Sequence, residues 1–192
     1  MRLAKFISLV FHPVVLLLML PYLVVYRQTA SEMYALKWVV FTASFLVLGV
    51  IILLVGRITG IFSDGDISHQ KERPRFYAIA LILAFVYFVV SLFFKGIFFP
   101  ISIIAFGIII GLFLFDAVNI RIKASVHIGV YCAFVITIAI LYHSLISVLV
   151  LPFLAWSRIK LHRHTILEII TGGVLGSLVT IATFLLAKYF YT

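Results

Sequence analysis

Charge is scarce in this chain. Only 11% of its 192 residues are Asp, Glu, Lys or Arg. A soluble domain of that length could not cover its surface with so few charges. Acids are rarer still, 6 against 15 Lys and Arg, for a formal net charge of +9. The one close acidic pair is Asp64-x-Asp66, and Glu32, Glu72, Asp116 and Glu168 are scattered. An aspartate-rich prenyltransferase needs a second acidic cluster to hold Mg²⁺ and diphosphate, and the sequence has none. The single cysteine, Cys132, lies inside an apolar run and excludes an intrachain disulfide. Internal repeats and low-complexity linkers are missing too, which leaves one domain of 1–192 as the expectation.

What the chain has in abundance is apolar length. It is 65% hydrophobic with a mean hydropathy of +1.30. Apolar runs cover about 6–26, 36–56, 76–95, 98–115, 126–142, 144–156 and 166–190. A membrane span needs about 20 residues at 1.5 Å rise each. The first four runs and the last meet or approach that. The basic, apolar opening Met1 to Phe11 resembles a signal peptide, but the run is long and lacks a small-x-small cleavage site, so it reads as the first membrane helix. Phe11-His12-Pro13 places a kink in that helix, and a histidine at that depth hints at function or at a bond to a neighbouring helix. The expected fold is all-α: a polytopic transmembrane bundle of about six or seven helices, with 1–56 as an N-terminal pair and 57–192 as the core.

The breaks between runs differ in kind. Arg27 to Glu32 is mixed and polar, and Lys95-Gly96 is minimal. Arg57 to Arg75, Asp116 to His127 and Ser157 to Glu168 hold nine basic residues, five of the six acids and four of the six histidines. Basic residues beside membrane segments point to anionic headgroups or a phosphorylated lipid rather than nucleic acid. If 126–156 folds as a helical hairpin, all three charged segments fall on one side of the membrane. If it is a single span, the third is stranded. A shared site therefore predicts a hairpin.

In the third segment His164 and Glu168 are four apart where a helix begins, so they share a face. A carboxylate one turn from an imidazole accepts its N–H and leaves the other nitrogen as nucleophile or base. Arg158 can grip a phosphate with its planar fork. In the second segment Ser125 is placed to cap the helix from 126, whose N-terminus suits a phosphate. Lys123 adds charge there, and His127 in the first turn is a candidate proton donor. In the first, Lys71, Arg73 and Arg75 form an anion clamp ahead of a helix. Taken singly, each segment also reads as helix caps and snorkelling basics at a membrane interface.

Read together, the pieces resemble the type 2 phosphatidic-acid phosphatase superfamily, which includes acid phosphatases and vanadium haloperoxidases. Its pattern is Lys-x6-Arg-Pro, then Pro-Ser-Gly-His, then Ser-Arg-x5-His-x3-Asp. Arg73-Pro74 matches the end of the first motif, Ser125 and His127 match two positions of the second, and Ser157-Arg158, His164 and Glu168 match the third with spacing intact. Departures are Asp66 at the lysine position, Ala124 and Val126 for Pro and Gly, and Glu168 for Asp. Lys71 is a substitute for the missing lysine charge.

The resemblance implies a membrane-embedded, metal-independent hydrolase of lipid phosphates or diphosphates. Candidate substrates are phosphatidate, phosphatidylglycerol phosphate and polyprenyl phosphates. His164 would attack phosphorus to form a phosphohistidine, Glu168 would orient it, and His127 would protonate the leaving alkoxide. Arg73, Arg158, Lys123, Lys71 and Ser125 would bind the phosphoryl oxygens, with no cofactor. A phosphotransferase using the same histidine and a non-catalytic lipid-phosphate binder or carrier are the alternatives. The expected location is a bacterial inner membrane. The positive-inside count points the site to the cytoplasm, and the family's usual habit points it to the outer face, which is the expectation adopted.

Overall fold

Every element follows from where the apolar runs are interrupted. The computed structural model of the chain describes residues 1–64, 67, 69–93 and 98–191. Asp66 and the Lys95-Gly96 break lie outside the described residues. The described residues form eight α-helices: α1 (Arg2–Val10), α2 (Pro13–Thr29), α3 (Glu32–Ile58), α4 (Arg73–Ser91), α5 (Phe98–Asn119), α6 (Val126–Tyr142), α7 (Leu151–Lys160) and α8 (Ile166–Tyr191). The fold is all-α. With α1 and α2 counted as one interrupted helix it has seven.

Among the described residues five stretches are long and apolar enough to cross a membrane: Arg2–Thr29, Glu32–Ile58, Gln70–Ser91, Ile101–Asn119 and Ile166–Tyr189. Their apolar side chains face outward. Val40, Ile82, Phe113, Leu178 and Leu185 are all exposed, while Arg73, Arg158, His127 and His164 are buried. That arrangement is costly in water and natural in lipid, where burial of apolar groups between helices gains little and polar groups turn inward. The chain is built as an integral membrane protein.

The chain divides into two compact units, residues 1–20 with 121–192, and residues 21–120. The first unit carries α1, the start of α2, and α6 to α8. The expected single first helix is broken instead at Phe11-His12. Pro13 has no N–H and disfavours helical geometry in the residue before it. His12 then accepts the N–H of Val14 on its Nδ1 at 3.3 Å, capping α2 as it restarts.

The hairpin over 126–156 is formed. α6 ends at His143 in the left-handed conformation (φ 53°, ψ 34°), the usual way to stop a helix and turn the chain. A short 3-10 stretch, Ile146–Val150, leads into α7, with Pro152 in its first turn where a missing N–H costs nothing. The Tyr131 hydroxyl on α6 donates to the Ser147 carbonyl at 2.7 Å and ties the return to the outgoing helix.

The chain then passes through α8, which lies parallel to α6. The register is visible in two glycines. A Cβ on Gly172 would sit 2.4 Å from the Ser125 carbonyl oxygen, and one on Gly176 would sit 2.1 Å from that of Gly129. Positions 172 and 176 on α8 are one turn apart, as are 125 and 129 on α6. Small residues at this spacing let two helices touch backbone to backbone. Leu16, Ile128, Tyr131, Cys132, Val135, Leu154 and Ile169 fill the core of this unit from α2, α6, α7 and α8.

In the second unit α3, α4 and α5 pack in sequence order. The Thr42 and Tyr87 hydroxyls share a hydrogen bond of 3.0 Å between α3 and α4. Val25, Ala35, Trp38 and Ile101 form its core. The Gln70 side chain bonds to the Asn119 carbonyl, and Asn119 Nδ2 donates to the Gln70 carbonyl at 3.3 Å, joining the entry of α4 to the exit of α5.

Candidate phosphate site

The candidate site is built on the start of α8. Thr165 precedes the helix, and Glu168 is its third residue. Glu168 N–H donates to Thr165 Oγ1 at 3.4 Å, and Thr165 N–H donates to Glu168 Oε2 at 3.3 Å. This reciprocal pair is a capping box, satisfying two N–H groups that the helix itself cannot. The same Oε2 lies 2.8 Å from His164 Nδ1 and 4.0 Å from Lys123 Nζ. A carboxylate can only accept, so Nδ1 carries the ring proton and Nε2 carries the lone pair. His164 is only 8% exposed, so its ring is held by packing as well as by that bond.

Capping and orienting are thus combined in one carboxylate, and they are separable by substitution. Thr165→Ala removes one cap bond and is expected to cost about 1 kcal/mol of stability, read by thermal unfolding in detergent. Glu168→Gln keeps a capping-box side chain and is expected to change stability by less than that, while removing the charge that fixes the imidazole tautomer.

The start of α6 lies against this corner. Ser125 N–H donates to the Glu168 carbonyl at 3.0 Å, which is how the second and third charged segments meet. Ser125 is fully buried, and its hydroxyl makes no cap bond. The α6 cap expected from that hydroxyl is therefore not made; its backbone amide instead joins the two helices. Two residues on, His127 is buried, with its ring 4.9 Å from that of His12 and perpendicular to it. Lys123, half-buried, reaches Glu168 from the loop before α6.

Arg158 lies in the last turn of α7, 2% exposed. Its Nη1 donates to Ser8 Oγ at 2.7 Å, and its carbonyl accepts the Arg163 N–H at 3.1 Å, folding the loop back toward α8. A guanidinium has five N–H donors in a fixed fork, and the bond to Ser8 uses one of them. Ser157, the other half of the Ser-Arg pair, turns its hydroxyl onto the Leu154 carbonyl at 2.7 Å within its own helix.

Of the sequence-derived residues, His164, Glu168 and Ser125 are joined by hydrogen bonds, Lys123 stands 4.0 Å from Glu168 as an ion pair, and His127 and Arg158 belong to the same compact unit. Lys71 and Arg73 belong to the other unit. There Lys71 is exposed in a single 3-10 turn. Arg73 opens α4 ahead of Pro74 and is buried, with Nε donating to the Ile67 carbonyl at 3.2 Å.

Sequence reasoning missed Ser8, Thr165, Gly172 and Gly176. Thr165-x-x-Glu168 was legible as a capping box, and the two glycines as a small-residue stripe. Ser8 carries no local signal, because its partner is 150 residues away. Comparison of the chain with protein families, with curated proteins and with solved structures finds no match.

Proposed function

We propose that the protein is a membrane-embedded phosphatase that hydrolyses a lipid phosphate or diphosphate through a phosphohistidine on His164. The observation that carries this reading is the 2.8 Å bond from His164 Nδ1 to a carboxylate that is itself held by a helix cap and a lysine. Such a pair places the lone pair on Nε2, where an imidazole acts as a nucleophile or, as in hydrolase triads, as a base. The resemblance of Ser157-Arg158-x5-His164-x3-Glu168 to the type 2 phosphatidic-acid phosphatase pattern supports the same assignment.

In the first step Nε2 of His164 attacks phosphorus, the P–O bond to the lipid breaks, and His127 gives its proton to the departing oxygen. In the second, His127 takes a proton from water, the hydroxide attacks the phosphohistidine, and orthophosphate leaves with His164 restored. Arg158 and Lys123 neutralise charge on the phosphoryl oxygens in both transition states. The apolar outer surface suits a substrate delivered from the bilayer. A bacterial inner membrane with the site on its outer face is the setting proposed.

The test is release of orthophosphate by purified protein in detergent from a panel of phosphatidate, phosphatidylglycerol phosphate and polyprenyl phosphates, with and without EDTA. Turnover of at least one lipid, unchanged by EDTA, is expected. Strict dependence on added Mg²⁺ would sink the phosphohistidine reading, and binding without turnover across the panel would reassign the site to a carrier.

A further inference from the structure

Ser8 and His12, outside the three charged segments, touch groups assigned to phosphate chemistry, and both come from the broken N-terminal helix. Ser8 on α1 accepts a hydrogen bond from Arg158 Nη1 at 2.7 Å, with both side chains buried. His12, at the break between α1 and α2, lies edge-to-face with His127 at 4.9 Å between ring centroids. The remainder of α1 explains why these contacts form. Ala4 and Ser8, one turn apart, are its buried face, and Leu3, Phe6 and Leu9 are exposed. The small face lets α1 approach α7 closely enough for a serine to reach the arginine.

We propose that this N-terminal segment completes the site: Ser8 is the positioning residue for Arg158, and His12 is the positioning residue for His127. The inference rests on the phosphatase reading and extends it to residues that no motif of the resemblance contains.

The chemistry assigns each contact a different step. The Ser8 hydroxyl holds one end of the guanidinium, so the fork meets the phosphoryl oxygens without first losing side-chain freedom. His12 accepts the Val14 N–H on Nδ1, so its neutral ring carries the proton on Nε2. In that state it packs on His127 without adding a second positive charge. The orientation of the His127 ring governs proton delivery to the leaving oxygen. A leaving group that departs readily as an anion needs no such proton.

The experiment uses the full-length protein in detergent and measures single-turnover phosphoenzyme formation with an alkyl lipid phosphate and with p-nitrophenyl phosphate. His12→Phe keeps an aromatic ring but loses the Val14 bond; His12→Asn offers an acceptor for that bond but loses the ring. Both are expected to slow the alkyl reaction about tenfold, which corresponds to 1.36 kcal/mol at the barrier, and to leave the aryl reaction within about twofold. Ser8→Ala is expected to lower kcat/KM about tenfold for both substrates, the scale of one hydrogen bond to a charged group, and Ser8→Thr to recover it.

Equal slowing of both substrates by the His12 variants would mark a structural role and overturn the His12 assignment. Unchanged kcat/KM in Ser8→Ala would overturn the Ser8 assignment. Failure of the underlying reading has a different signature: wild-type protein forms no phosphoenzyme, or His164→Ala forms as much as wild type, and the positioning roles then fall with it.

Discussion

Replacing His164 by Ala is expected to lower the rate of lipid phosphate hydrolysis by about four to six orders of magnitude, the scale on which a nucleophile acting in concert with its partners is lost. The residual rate should come from binding and charge neutralisation at Arg158 and Lys123 alone. Folding should survive, because the bond from the imidazole to Glu168 lies within its own helix turn and the capping box of Thr165 and Glu168 remains. Glu168→Gln should fall between wild type and His164→Ala, by about 10³ to 10⁴-fold, as when the carboxylate behind a catalytic histidine is made an amide. The check is orthophosphate release together with a thermal melt of each variant. A full-rate His164→Ala protein removes the histidine from the chemistry.

The second large effect is expected from a residue with no functional group. Gly176→Ala should destabilise the first unit by about 1 to 3 kcal/mol, the range for forcing one added methyl group into a close contact. The new Cβ would stand 2.1 Å from the Gly129 carbonyl oxygen, a backbone atom that cannot swing away. Either α6 and α8 separate or one of them slides. Both movements pull apart the bond from Ser125 N–H to the Glu168 carbonyl at the same interface. Activity should therefore fall even where the protein still folds, and Gly176→Val should fail to give a monodisperse protein in detergent. Gly173→Ala is the control: its Cβ would meet Cys132 Sγ and Ile128 Cγ2 at 3.5 Å, an ordinary contact, and it should be tolerated. Melting temperature and size-exclusion profile report the difference.

These two predictions also mark where the sequence could be read and where it could not. The helices were legible because hydropathy over about 20 residues depends on the solvent, not on neighbours in the fold. The hairpin was legible by parity alone, since the second and third charged segments could share a site only if the chain went out and came back. His164 and Glu168 were legible because i and i+4 are neighbours on any helix. The break at Phe11-His12 was half-legible: Pro13 announced a disturbance, but whether it bends or ends a helix depends on the bond that His12 makes to Val14.

Contacts made across the chain were hidden. Nothing near Ser8 points to Arg158, and nothing near Gly176 points to Gly129, because packing sets the pairing of distant helices. Ser125 shows how position can mislead. It stands at the helix start as a cap residue should, yet its amide bridges to Glu168 and its hydroxyl caps nothing.

The central claim is a covalent phosphorus–nitrogen bond on one named atom. The most direct measurement is mass spectrometry of protein quenched at alkaline pH during turnover of a lipid phosphate. The account predicts an acid-labile, alkali-stable phosphoryl group on His164, missing from His164→Ala and chased to orthophosphate when substrate is removed. A protein that turns over its lipid with no phosphoryl group on His164, or with one on another residue, contradicts it.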